Sequence, residues 1–377
     1  MNFQNPPGSF QVNEPLPYIM DSPLSSATLC FIVTNNCNLN CSYCFNYLSE
    51  GREDMTPETA TGILKAYLES GEQRKRIPAL RHIIFFGGEP TLNIEAIRSI
   101  MKYINSHHID CVPRLVTNGV IDRLTLAELV EELFYFQVSF DGFGSQFRKD
   151  RKGRVNINSR IRETLRCVAE AGLPIFLRAT VHAGNVGDMT DIVRFAHAHG
   201  VNTVAFTPVA LMGNAVVSEI QRPDMDSYVE NYYRALDTAL HLGVNFYSSE
   251  MFHYHRGGSS RFPPLVWFPD GYLAFTIKYS SSRGEKAQKV IVGKYHVEQN
   301  RIIIDSEKIA GMAMNFINNR SRHCGDCPAL ALCKGNLNFD LFSTNPRVEA
   351  YDTYYCRITG DIVKRLEHYD LSTNNPY

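Results

Sequence analysis

The chain has 377 residues, 44% of them apolar and 20% charged, enough for a large core arranged as a barrel with an appendage or as two to three domains. Its 38 Lys and Arg stand against 39 Asp and Glu, so no overall field draws in a polyanion and a nucleic-acid substrate is not expected. No basic stretch followed by an apolar one opens the sequence, and no segment reaches the roughly 18 apolar residues of a membrane span, which predicts a cytoplasmic protein with no membrane partner.

Residues 1–26 are rich in Pro and Asn and read as an irregular lead-in. A strand from Thr28 then runs into TNNCNLNCSYCFN, where Cys37, Cys41 and Cys44 lie on one short loop. Thr56 offers an N-cap with Pro57 at the first helical position, and Ile63, Leu64, Tyr67 and Leu68 form an apolar helix face. The same strand-then-helix unit recurs: strand 82–86 with helix 93–106, 114–118 with 124–133, 136–141 with 159–171, 175–181 with 188–199, and 203–209 with about 224–242. Six such units with near-continuous apolar strands predict an α/β fold, a partial (β/α)6 TIM-like barrel over residues 27–215, with a helical linker over 216–260. Catalytic groups are then expected just past the strand C-termini. Beyond residue 245 the alternation stops. Residues 265–279 read as two strands around an Asp270-Gly271 turn, and 289–297 and 301–306 follow in the same style, so 261–377 is expected to be a small C-terminal α+β domain.

Soft thiolates select iron–sulfur clusters, zinc or Cu(I), and a closed site takes four protein ligands. The first loop supplies three. A zinc knuckle borrowing a distant ligand is one solution, and a cubane with one open iron is the other. The second cysteine group, Cys324, Cys327 and Cys333 followed by Cys356, supplies four and can close a zinc or a [4Fe–4S] site alone. Cys30, Cys111 and Cys167 read as small apolar residues.

The Cys37-x3-Cys41-x2-Cys44 run, with Tyr43 before its third cysteine and a strand in front, resembles the signature of the radical S-adenosylmethionine (SAM) superfamily. FFGGEPTL (85–92), TNG (117–119) and SFDG (139–142) extend the resemblance. The likeness implies a [4Fe–4S] cluster on the three cysteines, whose open iron chelates SAM. It further implies that Gly87, Gly88 and Glu89 receive the SAM amino group, that Asn118 and Ser139 touch its methionine and ribose portions, and that Arg178 pairs with its carboxylate. Thr207 and Val209 would line the adenine pocket, and Tyr43 would complete the cofactor-binding set.

With the distal four cysteines, the chain resembles the SPASM/twitch branch, which carries auxiliary clusters and mostly modifies peptides. A full SPASM domain has seven cysteines; here Thr276 and Leu337 occupy two of those positions and no cysteine occurs between Cys167 and Cys324. One auxiliary [4Fe–4S] cluster is therefore expected, on Cys324, Cys327, Cys333 and Cys356. The implied reaction is hydrogen abstraction from a ribosomally synthesised precursor peptide and an oxidative crosslink, with Asp270 or Asp352 as the proton acceptor. The implied reductant is a flavodoxin or ferredoxin, and any leader-binding module is expected to be a separate protein. Competing readings are a radical dehydrogenase or sulfur-handling enzyme on a small molecule, a peptide epimerase, and a non-enzymatic four-cysteine structural module. Epimerisation ranks low because none of the three remaining thiols is placed as a hydrogen-atom donor.

Overall fold

The computed structural model describes residues 26–45, 52–73, 80–133, 135–144, 148–149, 157–248, 264–324, 327 and 353–366. Six parallel strands form as the sequence predicts: β1 (Thr28–Thr34), β2 (His82–Gly87), β3 (Val112–Thr117), β4 (Tyr135–Ser139), β5 (Ile175–Val181) and β6 (Thr203–Pro208). Their helices are α1 (Pro57–Gln73), α2 (Ile94–Ser106), α3 (Arg123–Glu132), α4 (Asn158–Glu170), α5 (Met189–Ala198) and, after a one-turn α6 (Asn214–Val217), α7 (Met225–Leu242). The starts are chemically marked. Thr56 Oγ1 accepts from the Thr59 backbone N–H at 3.1 Å, and Asp122 and Asp224 cap α3 and α7 in the same way. Gly243 ends α7 in the left-handed conformation, φ 68°.

The sheet extends further than the six units. A three-residue β7 (Asn245–Tyr247) joins β6 in parallel, and an equally short β8 (Leu265–Trp267) joins the opposite edge, parallel to β1. The Asp270-Gly271 turn links β8 to β9 (Tyr272–Ala274) antiparallel, and β10 (Ile291–His296) and β11 (Arg301–Ile304) follow. All eleven strands form one sheet, ordered β11-β10-β9-β8-β1-β2-β3-β4-β5-β6-β7. The C-terminal strands therefore grow from the barrel's own edge. The segment expected as strand from residue 289 is helical up to Val290 (α8, Glu285–Val290), and strand begins at Ile291.

One face of the sheet packs on the helices and the other is concave. Phe136 and Val138 on β4, and Leu177 and Ala179 on β5, are fully buried against the helices. Their neighbours Gln137, Ser139, Arg178 and Thr180 keep contact with solvent. This period-two alternation holds on β4 and in the C-terminal half of β5, whereas β1 is buried on both faces from Leu29 to Thr34. Arg114 lies over the Tyr135 ring, which is tilted against Phe176, and Phe176 meets Tyr247 edge-on. A long α9 (Ser306–His323) leads to Cys324, and α10 (Thr353–Leu366) packs on α7, its Ile362 carbonyl accepting from Tyr233 Oη at 2.6 Å.

Candidate active site

The loop that carries Cys37, Cys41 and Cys44 leaves β1 at its C-terminal end and is tied to its neighbours at every turn. Thr34 Oγ1 donates to Asp54 and accepts from the Asn36 N–H at 3.0 Å, and Asn35 and Glu53 exchange hydrogen bonds at 3.1 and 2.8 Å. From β2, the Gly88 N–H donates to the Thr34 carbonyl at 2.9 Å and the Glu89 N–H to Asn36 at 2.8 Å. That approach needs glycine. A Cβ on Gly88 would stand 2.2 Å from the Asn36 carbonyl oxygen, and one on Gly87, φ 149°, 2.1 Å from that of Thr34.

Glu89 is fully buried. Its carboxylate accepts from Thr91 Oγ1 and Thr117 Oγ1, both at 2.8 Å, from the Asn118 N–H at 2.8 Å and from the Thr91 N–H at 3.3 Å. Burial raises its pKa and these four donors oppose the rise. The side chain thereby joins the ends of β2 and β3 beneath the cysteine loop. Asn118 continues the tie: its amide N–H donates to Asn38 Oδ1 at 2.7 Å and lies 3.6 Å from Cys37 Sγ, while its oxygen accepts from the Val120 N–H at 2.8 Å.

Ser139 and Arg178 are register partners on β4 and β5, and Arg178 Nη2 donates to Thr207 Oγ1 at 3.0 Å. Three residues distant in sequence thus share one wall of the concavity. Arg178 is open to solvent yet surrounded by protein, as befits a group lining a deep cleft; desolvation lowers its pKa, against the pull of Tyr247, Tyr228 and Tyr355. Among the described residues no carboxylate pairs with it. Val209 is fully buried behind β6, its N–H donating to the Val181 carbonyl at 2.8 Å.

Tyr43 lies inside a buried polar cluster. Its hydroxyl donates to Asp141, whose carboxylate also accepts from the Thr180 N–H at 2.5 Å, and its ring stacks on His182 at 5.9 Å. Arg148, 5% exposed, completes the group: it donates to the carbonyls of Ser139 (2.7 Å) and Asn118 (2.9 Å), and contacts Cys41. Arg148 and His182 fall in no motif, and nothing in the sequence singles them out. A basic residue soon after a strand-end Asp is the faint signal that was there.

Burial raises the pKa of the Cys37 and Cys41 thiols. Cys37 is pushed up to about 12, first by desolvation and next by Glu89, and Cys41 is raised by burial against the opposing pull of Arg148. Among the described residues, no three His, Cys, Asp or Glu side chains are drawn together tightly enough to hold a metal ion as they stand.

Elsewhere the expected residues are more dispersed. Asp270 is an exposed turn residue that accepts from Ser282 Oγ. Cys324 is buried at the end of α9, where its carbonyl accepts from the Cys327 N–H at 3.1 Å, and Cys356 is half-buried on α10. Cys333 and Asp352 lie outside the described residues. Cys30 is buried in β1, and Cys111 and Cys167 pack against the core, in keeping with their reading as apolar residues.

The Radical SAM superfamily model matches residues 31–196, the span from β1 through α5 that holds the cysteine loop, the GGE triplet and Arg178. The chain carries a radical SAM domain. An uncharacterised protein of Methanocaldococcus jannaschii is 27% identical over 179 residues, 46% of this chain and 59% of that protein. The PqqA peptide cyclase of Bradyrhizobium diazoefficiens is 25% identical over 168 residues, 44% of this chain and 41% of that protein. The chain thus spans about half the length of these curated relatives. Among solved structures, native anSMEcpe with bound AdoMet and Cp18Cys peptide superposes with a TM-score of 0.68 at 17% identity, over 90% of this chain and 97% of that one. The likeness in fold therefore continues past the radical SAM domain into the C-terminal strands. No described helix is long and apolar enough to cross a membrane.

The donors present suit the cluster that such a domain implies. Three soft thiols sit on one eight-residue loop, and a fourth ligand is not supplied locally. The raised pKa values of Cys37 and Cys41 favour the neutral thiol, and a bound iron, with Arg148 beside Cys41, would favour the thiolate. The Asn118 amide and the Leu39 N–H, 3.6 and 3.4 Å from Cys37 Sγ, would donate to the sulfur once it is ionised as a ligand.

Proposed function

We propose that this chain is a radical SAM enzyme that modifies a ribosomally synthesised peptide, installing an oxidative crosslink between residues. The observation that carries the reading is the conjunction, on one sheet, of a three-thiol loop with a cation, Arg178, that is open to solvent and pairs with no carboxylate among the described residues. When bound, a [4Fe–4S] cluster and SAM supply a 5′-deoxyadenosyl radical able to take a hydrogen atom from an unactivated carbon.

The chain's own residues then bind and orient. Cys37, Cys41 and Cys44 hold the cluster, Arg178 takes the SAM carboxylate, and Ser139 and Thr207 flank it on neighbouring strands. The peptide substrate class is supported by the relatives: one is named a peptide cyclase, and the structural neighbour was solved with a peptide bound. A peptide requires an open groove, and the solvent-accessible Gln137, Ser139, Arg178 and Thr180 on neighbouring strands mark where it would lie. Cys324, Cys327, Cys333 and Cys356 would hold one auxiliary cluster to accept the surplus electron. Asp270 and Asp352 are the acids proposed to receive the proton, and a small flavodoxin or ferredoxin the electron donor.

Co-expression with a neighbouring small peptide, read by mass spectrometry, tests the substrate. Loss of two hydrogens, about 2 Da, from the peptide is expected, and C37A/C41A/C44A should abolish it. A purified, iron-loaded protein that cleaves SAM but leaves every co-encoded peptide at its original mass would instead point to a small-molecule substrate.

A further inference from the structure

Arg148 is a buried cation whose ion-pair partner among the described residues, Asp141, stands off at 3.7 Å. Its Nη1 and Nη2 donate to the Ser139 and Asn118 carbonyls at 2.7 and 2.9 Å, which fix the guanidinium but bring no net charge. The buried Nε has no hydrogen-bond acceptor among the described residues; Asp141 Oδ2 lies 3.7 Å away, beyond hydrogen-bond reach. Asp141 is also engaged by Tyr43 and by the Thr180 N–H. Had the pair served only folding, the fork of the guanidinium would be expected to meet the carboxylate face to face. Instead Asp141 balances the charge at a distance and Arg148 contacts Cys41.

The neighbouring backbone holds this arrangement against the cysteine loop, through a 2.8 Å hydrogen bond from the Asn40 N–H to the Lys149 carbonyl. A buried guanidinium is costly to desolvate, so its retention beside a thiol implies that negative charge is to be borne there. Reduction of an iron–sulfur cluster adds an electron, and nearby charge and hydrogen bonds to sulfur set how readily it is taken up.

We propose that Arg148 is a positioning residue whose fixed positive charge, counterweighted by Asp141, raises the reduction potential of the cluster on Cys37, Cys41 and Cys44. The proposal rests on the cluster assignment made above and goes beyond it in naming the residues that tune electron entry.

The test is an EPR-monitored redox titration of the full-length, anaerobically reconstituted protein without SAM or substrate, with iron content measured on each sample. Arg148→Gln should make the cluster harder to reduce, by roughly tenfold in the equilibrium constant, equivalent to about 59 mV for one electron. Asp141→Asn should shift the potential the opposite way, and Arg148→Lys should stay near wild type. Opposite signs distinguish charge tuning from mere scaffolding, which would move both variants alike. Shifts of the same sign, or none in iron-replete variants, overturn the proposal. Should Arg148→Gln fail to load iron, the upward shift of Asp141→Asn together with the unchanged potential of Arg148→Lys decides, and a downward or absent shift in Asp141→Asn overturns the proposal. A wild-type protein that takes up no [4Fe–4S] cluster refutes the cluster assignment itself, a distinct result.

Discussion

Arg178 is the residue at which sequence and structure converge most directly. Its place on the open face follows from the period of β5, where Phe176, Arg178 and Thr180 alternate with fully buried Leu177 and Ala179. Reading that strand as such therefore sufficed to put its cation in the cleft, and the register with Ser139 and the hydrogen bond to Thr207 follow from the strand order. Val209 lay one residue beyond β6, where alternation no longer fixes the side, and it is buried. Arg148 was illegible because it stands in a connection with no periodicity. If Arg178 holds the SAM carboxylate, Arg178→Gln removes a charge-assisted contact worth roughly 1.5–3 kcal/mol. The affinity for SAM, measured by equilibrium binding to the iron-loaded protein, should fall by about ten- to a hundredfold while iron content stays unchanged. Arg178→Lys should recover little of it, since an ammonium cannot reproduce the planar fork. Unaltered SAM binding in Arg178→Gln would remove the assignment.

Among the elements, the six strand–helix units were readable because each strand is a compact apolar run and three of the helices open on a side-chain cap, at Thr56, Asp122 and Asp224. The short strands were not: β7 and β8 have three residues each, too few to display a pattern, and their pairing is decided by the strands beside them. The join between the β2 end and the cysteine loop shows a second limit. The Gly87-Gly88-Glu89 triplet drew notice as a cofactor contact, but its visible work is mechanical: two glycines let the backbones touch, and Glu89 knots β2 to β3. A turn glycine and a packing glycine look the same in one sequence. Gly88→Ala should consequently behave as a cysteine-loop variant. Its Cβ would meet backbone, not a side chain that can rotate away, so a loss of about 1–3 kcal/mol is expected in chemical denaturation. The displaced loop should also retain less iron after reconstitution. A variant with wild-type stability and full iron loading would mean that the loop yields without cost.

At the scale of the whole molecule, the C-terminal part is built onto the barrel and not beside it. Its strands continue the sheet from β1 through β8, and α10 is pinned to the barrel by three tyrosines: Tyr233 to Ile362, Tyr354 to Pro223 at 2.7 Å and Tyr355 to Pro208 at 2.6 Å. The last contact ties the residue preceding Cys356 to the end of β6, whose Thr207 touches Arg178. A redox centre completed by Cys356 would then be anchored to the same strand that bounds the cleft, which is where an electron acceptor for a substrate radical is useful. This gives Cys356→Ala a specific signature. The side chain is half-buried, so the substitution should barely change the thermal stability of the iron-free protein. Iron should fall from about eight to about four per chain if one of two cubanes is lost. SAM cleavage should persist because the barrel's own three thiols are untouched, whereas the oxidised peptide product should disappear for want of an electron acceptor. Retention of about eight irons would show that Cys356 closes no cluster. Loss of iron with undiminished peptide product would show instead that the auxiliary centre is structural and that the surplus electron leaves by another route.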